Sequence, residues 1–293
     1  MSLPAPDAHQ KAQTLIESLP WLLRFRGAIV VIKLGGNAMV SPDLLDAFAA
    51  DMVYLRTVGV KPVVVHGGGP QISEALDAAG VASEFLGGYR VTTTEAIPIV
   101  AHVLVDDISA DVIRRINHYG DIARSIGSDG GLFQAEKATT VIDGETVDLG
   151  HVGEVTAVTP EQVVAALDQG LIPVISSYVP DQDGGPGLNV NADRAASALA
   201  ISLHAEKLVL LTDVPGLYAN WPDTTDVIST ITADQLAAML PGLSSGMIPK
   251  MSSCLEAVQS GVAKAAVIDG RLAHSVLLEI FTPTGIGTEV VAT

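Results

Sequence analysis

Cysteine occurs once in 293 residues, at Cys254, so no disulfide can close within the chain and no multi-thiolate metal or iron–sulfur site can be assembled. Basic residues are scarce as well: 16 Lys plus Arg face 33 Asp plus Glu, a formal net charge of −17. That balance argues against a duplex-binding surface held by many phosphate contacts. No apolar run approaches the length of a membrane span, and the opening MSLPAPDAHQ lacks a basic region followed by an apolar one. The expectation is a soluble cytoplasmic protein with neither nucleic acid nor membrane among its partners. Familiar catalytic signatures are missing too. None of the seven lysines follows a glycine, which excludes a Walker A loop. No strand leads into Gly-x-Gly-x-x-Gly, and there is no His-Glu-x-x-His helix.

What is present is a globular composition, 48% hydrophobic and 17% charged. From Ala28 onward, short β-branched runs alternate with amphipathic segments that open at Ser, Thr or Pro and close at Gly. This is the pattern of an α/β fold with a mostly parallel sheet. The first unit is a strand from Ala28 to Lys33, a glycine turn, and a helix capped by Ser41 with Pro42 at its first position. The second is a strand from Pro62 to His66, the turn Gly67-Gly68-Gly69, and a helix from Pro70 to Ala79 that stops at Gly80. A long helix is predicted from Thr94 to His118, then a small antiparallel patch from Ile122 to Val158 with turns at Asp129-Gly130 and Asp143-Gly144. Further strands are expected at Leu171 to Ser176, Lys207 to Thr212 and Lys264 to Ile268. No linker separates the halves, so two lobes should share one sheet. Ahead of Ala28, an amphipathic helix from His9 to Arg26, broken near Pro20, carries Leu15, Ile16, Leu19, Leu22 and Leu23 as its apolar stripe.

Two glycine turns at the carboxyl ends of adjacent strands, each feeding a helix, bring backbone N–H groups to the positive end of a helix dipole, which suits an anion. The first follows Lys33 and the second follows His66. Lys33, Arg90 and Lys250 each stand beside a glycine-containing turn, and two lysines so placed in so acidic a chain point to charge reserved for phosphate. Asp193 opens a helix of small residues; it either caps that helix, holds two lysines in place or helps hold a metal. Asn189 and Asn191 have amides able to bond a carboxylate. His66 reads as a satisfied structural histidine.

The runs Val31-Ile-Lys-Leu-Gly-Gly-Asn37, Val65-His-Gly-Gly-Gly-Pro-Gln71, Gly88-Tyr-Arg-Val-Thr92, Asn189-Val-Asn-Ala-Asp193, Leu211-Thr-Asp-Val-Pro-Gly216 and Gly246-Met-Ile-Pro-Lys250 resemble, in order and spacing, the acetylglutamate kinase branch of the amino acid kinase family. The resemblance implies a three-layer αβα sandwich around a mainly parallel sheet. It implies an acceptor lobe over residues 28–190, a nucleotide lobe over 191–293, and an oligomerisation helix over 1–27. By motif, Lys33 and Lys250 would stabilise the transferring phosphoryl group and Asp193 would orient both. Gly68, Gly69, Arg90 and Asn189 would bind N-acetyl-L-glutamate. Gly35, Gly36, Asp213, Val214, Pro215, Gly216, Leu217, Tyr218, Gly246 and Met247 would surround ATP, with Mg²⁺ arriving on the nucleotide and no direct protein ligand. Leu34 stands where the family often has Tyr. The implied reaction is phosphorylation of the γ-carboxylate to N-acetyl-L-glutamyl 5-phosphate, a step of arginine biosynthesis.

The N-terminal helix and the run from His274 to Gly287 resemble those of arginine-inhibited members, in which the extra helix interlaces dimers into a hexameric ring. By that resemblance Glu279 would pair with the guanidinium of L-arginine, Gly285 and Gly287 would offer backbone groups, Lys207 would take the carboxylate, and His274 and Trp21 would complete the site. Other readings stay open: a kinase for N-acetyl-2-aminoadipate or another acceptor of the family, or a non-catalytic regulator that binds arginine or nucleotide.

Overall fold

The computed structural model describes residues 5–86, 89–142, 145–220 and 226–293. An eight-stranded sheet forms the middle layer. Its spatial order is Thr230–Thr232, Thr288–Val291, Lys264–Asp269, Lys207–Thr212, Ile29–Leu34, Lys61–His66, Ile172–Ser176, Ala123–Ser125. All neighbours are parallel except Lys264–Asp269 with Thr288–Val291. The central strands are buried along almost their full length, which is why they read as unbroken apolar runs rather than alternating ones. Helices cover both faces, and two separate apolar cores result. One packs Met52, Leu55, Leu104 and Ile116 on one face, the other Ala196, Leu199, Met251 and Leu255 on the opposite face. The αβα sandwich and the single sheet shared by both halves are as expected.

Local chemistry sets the element ends. Ser41 caps Pro42–Thr57 by accepting from Leu44 N at 3.4 Å, and Gly80 ends Gly69–Ala79 at φ +71, the left-handed conformation that glycine adopts without a Cβ penalty. Three expectations need correction. The N-terminal helix runs unbroken through Pro20, as Ala5–Phe25; the carbonyl that Pro20 leaves unbonded belongs to Ile16, a residue 68% exposed, where solvent can take over the bond. The predicted antiparallel patch loses its first strand, because Ala123–Ser125 joins the edge of the main sheet, parallel to Ile172–Ser176. The rest is one long hairpin, Phe133–Ile142 with Glu145–Val158, extended by Leu188–Val190 and Tyr178–Val179; the turn expected at Asp143-Gly144 lies outside the described residues. Finally, the long helix is interrupted: Ile97–His102 and Ser109–Asn117 flank a π-helical stretch, Val103–Ile108.

Candidate active site

Both glycine turns emerge at the carboxyl edge of adjacent strands, since Lys33 pairs in register with Val65 and Leu34 with His66. Ligands of open parallel sheets bind at this edge. Lys33 is all but buried, its side chain 9% exposed, and it folds over Gly35, where any Cβ would collide with its ammonium. Gly36 adopts φ +65 and lies against the Asp213 carboxylate, so a side chain there is barred both by conformation and by space. Gln71 Nε2 donates to Met39 O at 2.9 Å and ties the second turn's helix to the first turn.

Asp193 joins the two lysines. Asn191, not Asp193, caps the helix Ala192–Ser202, accepting from Asp193 N at 2.8 Å and Arg194 N at 3.2 Å. The Asp193 side chain is therefore released from capping, with Oδ1 3.0 Å from Lys33 Nζ and Oδ2 3.0 Å from Lys250 Nζ. Burial pushes the carboxyl pKa up, but the two ammonium groups overcome it and hold the pKa at about 2. The group is an anion throughout the neutral range. Lys250 comes from the first turn of Ile248–Gln259.

Opposite the lysines stands Arg90, 8% exposed. Its guanidinium donates to Gly69 O at 2.9 Å, to Ser73 Oγ at 2.7 Å and to Ser83 Oγ, and it stacks 4.6 Å from the Phe85 ring centroid. These hydrogen-bond partners are all neutral; desolvation lowers its pKa, against the smaller opposing pull of the Asp77 carboxylate. A buried guanidinium held by neutral acceptors keeps its charge available for an incoming carboxylate. Asn189 Nδ2 donates to Thr92 Oγ1 at 3.3 Å. Lys33, Gly35, Gly36, Gly68, Gly69, Arg90, Asn189, Asp193 and Lys250 line one cleft of about 340 Å³. Ser177 and Phe85 line it too; sequence reading passed over both, although Phe85 stands close to the Gly88-Tyr89-Arg90 motif.

A second cleft of about 480 Å³ is lined by Val214, Gly216, Leu217, Tyr218 and Met247 with Asn220, Met239 and Leu243. Its apolar side chains beside backbone groups suit a flat heteroaromatic base. Leu217 N donates to Thr288 Oγ1 at 2.7 Å, fastening this segment to the last strand. Met247 and Lys250 bring the two clefts together at the start of one helix. Pro215 and Gly246 line neither. A larger hollow of about 580 Å³ over the second sheet, between Phe133 and Leu188, has none of the paired lysines.

Of the residues expected around arginine, Lys207, Glu279 and Gly285 come together. Lys207, 3% exposed, donates to Glu279 Oε1 at 2.7 Å and Glu289 Oε1 at 2.9 Å, and Glu279 Oε2 accepts from Ile286 N at 2.9 Å. Gly285 sits at φ +62 directly against the Glu279 carboxylate, and Gly287 packs against the backbone of Val267 and Ile268. His274, in the left-handed region at φ 60, turns its Nδ1 to Asp51 Oδ1 at 2.6 Å. Trp21 packs into the core that also holds Val276 and Ile280 of the helix Ser275–Phe281. Lys207 and Glu279, expected to take opposite ends of a ligand, are bonded to each other.

The amino acid kinase family model matches residues 28–269. An acetylglutamate kinase of Leifsonia xyli subsp. xyli is 58% identical over 96% of this chain and 93% of its own length. Another, from Salinispora tropica, is 57% identical over 97% of this chain and 96% of its own. Among solved structures, N-acetylglutamate synthase from Neisseria gonorrhoeae complexed with coenzyme A and N-acetyl-glutamate superposes with a TM-score of 0.84 at 26% identity; the match covers 96% of this chain and 63% of that one. Carbamate kinase from Giardia lamblia bound to AMP-PNP, at 18% identity and a TM-score of 0.66, shares the fold. With sequence matches of this identity over nearly its whole length, the chain belongs to the amino acid kinase family, within its acetylglutamate kinase branch.

Proposed function

We propose that this chain transfers the γ-phosphoryl group of MgATP to the γ-carboxylate of N-acetyl-L-glutamate, giving N-acetyl-L-glutamyl 5-phosphate and ADP. The observation that carries the reading is Asp193, buried and ionised, holding Lys33 and Lys250 side by side where two glycine turns converge. The acceptor is already an anion at neutral pH, so a carboxylate oxygen attacks phosphorus and ADP leaves with no proton to remove. What the site must supply is alignment of two repelling anions and neutralisation of the charge on the transferring group. Two lysines and the N–H groups of the glycine turns supply the charge, and Arg90 fixes the acceptor by its α-carboxylate. Residues 28–190 form the acceptor lobe and 191–293 the nucleotide lobe.

The finer reading extends to regulation and assembly. L-arginine binds at Lys207, His274, Glu279, Gly285 and Gly287 with Trp21 closing the site, its guanidinium displacing Lys207 from Glu279, and it inhibits turnover. Residues 1–27 interlace dimers into a trimer of dimers; the exposure of Leu15 at 63%, Ile16 at 68% and Leu23 at 66% on one helix supports burial against another copy. The enzyme works in the cytoplasm.

The test is hydroxylamine trapping of the acyl phosphate with MgATP and N-acetyl-L-glutamate, against glutamate and N-acetyl-2-aminoadipate, with and without L-arginine. Hydroxamate from acetylglutamate alone, suppressed by arginine, is the expected result. Preference for the aminoadipate derivative, a difference of one methylene and so about 1–3 kcal/mol, would reassign the acceptor. No hydroxamate from folded protein that binds ATP would make the chain a regulator.

A further inference from the structure

His66 is wholly buried between the second glycine turn and the π-helical stretch, and nothing in the transfer itself uses it. Its Nδ1 lies 3.1 Å from Gly67 O and its Nε2 2.7 Å from Ser109 Oγ. A carbonyl only accepts, which places the ring proton on Nδ1; the Ser109 hydroxyl has a single proton, which it shares between Nε2 of the ring and Leu104 O. Ser109 Oγ also stands 3.1 Å from Leu104 O, the carbonyl five residues earlier. The hydroxyl thus sits at the end of the stretch where the helix takes in its extra residue, the kind of insertion that distinguishes a π turn. Burial holds the His66 pKa at about 4, so the ring is neutral at working pH.

The same stretch touches the turn a second time. A Cβ on Gly68 would run into Ile108 Cδ1 and Leu104 Cδ2, so Gly68 is pressed against the π turn. Gly68 and Gly69 stand at the start of Gly69–Ala79, where N–H groups have no partner within the helix and point outward toward a ligand. Their direction depends on how the Gly67 peptide is held.

We propose that His66 is a positioning residue of the phosphoryl transfer: by holding Gly67 O and engaging Ser109 it clamps the Gly67–Gly69 turn to the π turn Val103–Ile108 and fixes the aim of the Gly68 and Gly69 N–H groups. The proposal rests on the kinase reading above. It gives the π turn a function, since an unbroken α-helix would place Ser109, Ile108 and Leu104 on different bearings relative to the turn.

The experiment compares full-length wild type with His66→Asn, His66→Gln and Ser109→Ala in the hydroxamate assay, with melting temperatures beside kcat and KM. An Asn amide can reach the Nδ1 position and restore the bond to Gly67 O; a Gln amide reaches the Nε2 position. Small misplacements of aligned groups cost on the order of 10- to 100-fold, and that is the expected fall in kcat for His66→Gln, with a smaller fall for Ser109→Ala. KM for ATP should stay within about twofold, and His66→Asn should recover most of the turnover. Wild-type kcat should show no histidine break between about pH 5.5 and 8. Near wild-type kcat in His66→Gln and Ser109→Ala, with only lowered melting temperatures, would overturn the proposal. So would a histidine inflection in kcat that His66→Asn abolishes, because it would make the ring a proton carrier. If His66→Gln fails to fold, Ser109→Ala decides alone. Absence of hydroxamate from wild type with every acceptor would remove the kinase reading, and the proposal with it, a result distinct from wild-type activity that the variants leave unchanged.

Discussion

Replacing Asp193 by asparagine keeps the shape of the side chain and removes the negative charge that bridges both lysines. At an effective dielectric of about 20, a unit pair at this spacing attracts by about 5 kcal/mol, and Asp193 makes two such pairs at 3.0 Å. Most of that offsets burial of the carboxylate. The net is read from its pKa, lowered from 3.8 to about 2, which corresponds to about 2 kcal/mol in favour of the folded, ionised state. The folded pKa lies below the unfolded one, so this stability is fully present above about pH 4 and lost as the pH falls through about 2. In Asp193→Asn the nearly buried Lys33 ammonium loses the carboxylate it is paired with, so the loss should reach about 2–4 kcal/mol and the melting temperature should fall by roughly 5–10 °C. With two ammonium groups repelling one another, neither stays aimed at the phosphoryl group, and turnover should drop on the order of 10²-fold or more. KM for acetylglutamate, which the proposed reading assigns to Arg90 and Asn189, should move far less. Hydroxamate production with both substrates varied, beside thermal melts at pH 7.5, gives both numbers. A folded variant with kcat within about threefold of wild type would refute the idea that Asp193 organises the lysines.

Other consequences are equally open to measurement. Arg90→Ala should raise KM for acetylglutamate by about 10- to 100-fold, the worth of charged hydrogen bonds, and leave KM for ATP nearly unchanged; an equal rise in both would separate Arg90 from the acceptor. Gly36→Ala places a methyl at φ +65 against the Asp213 carboxylate and should cost about 1–2 kcal/mol of stability together with turnover, both visible in one melt and one rate assay. Burial raises the Asp51 pKa to about 6 even though His274 pulls it down, so its ionised form opposes folding above that pH. Asp51→Asn should therefore melt higher than wild type at pH 8, by about 2–3 kcal/mol, and the difference should close toward pH 4.5; a variant less stable at pH 8 would show that the His274 contact outweighs burial. Glu279→Gln should raise the arginine concentration for half-inhibition by about 10- to 100-fold, read directly from inhibition curves.

Much of the architecture was legible because its causes are local. Buried parallel strands are continuous apolar runs, Ser41-Pro42 starts a helix, and Gly80 stops one. The residues that converge on the candidate cleft were legible because a phosphate site needs lysines next to glycine turns, and an acidic chain with seven lysines leaves few places to look. The misreadings fall where the deciding contact is distant in sequence. Ala123–Ser125 is too short for its periodicity to tell which sheet it joins, and only Ile172–Ser176 settles the matter. The π turn ends at a residue whose hydroxyl meets a histidine 43 residues earlier.

Composition, periodicity and turn chemistry by themselves determined an α/β chain with two anion-ready turns, since each arises from neighbours within a few residues. Only the tertiary structure decided that Asp193 reaches both Lys33 and Lys250, that Lys207 and Glu279 bond to each other, and that His66 reaches Ser109. Those outcomes rest on charges and hydroxyls brought together across the sheet, where burial makes each group take whichever partner lies in reach.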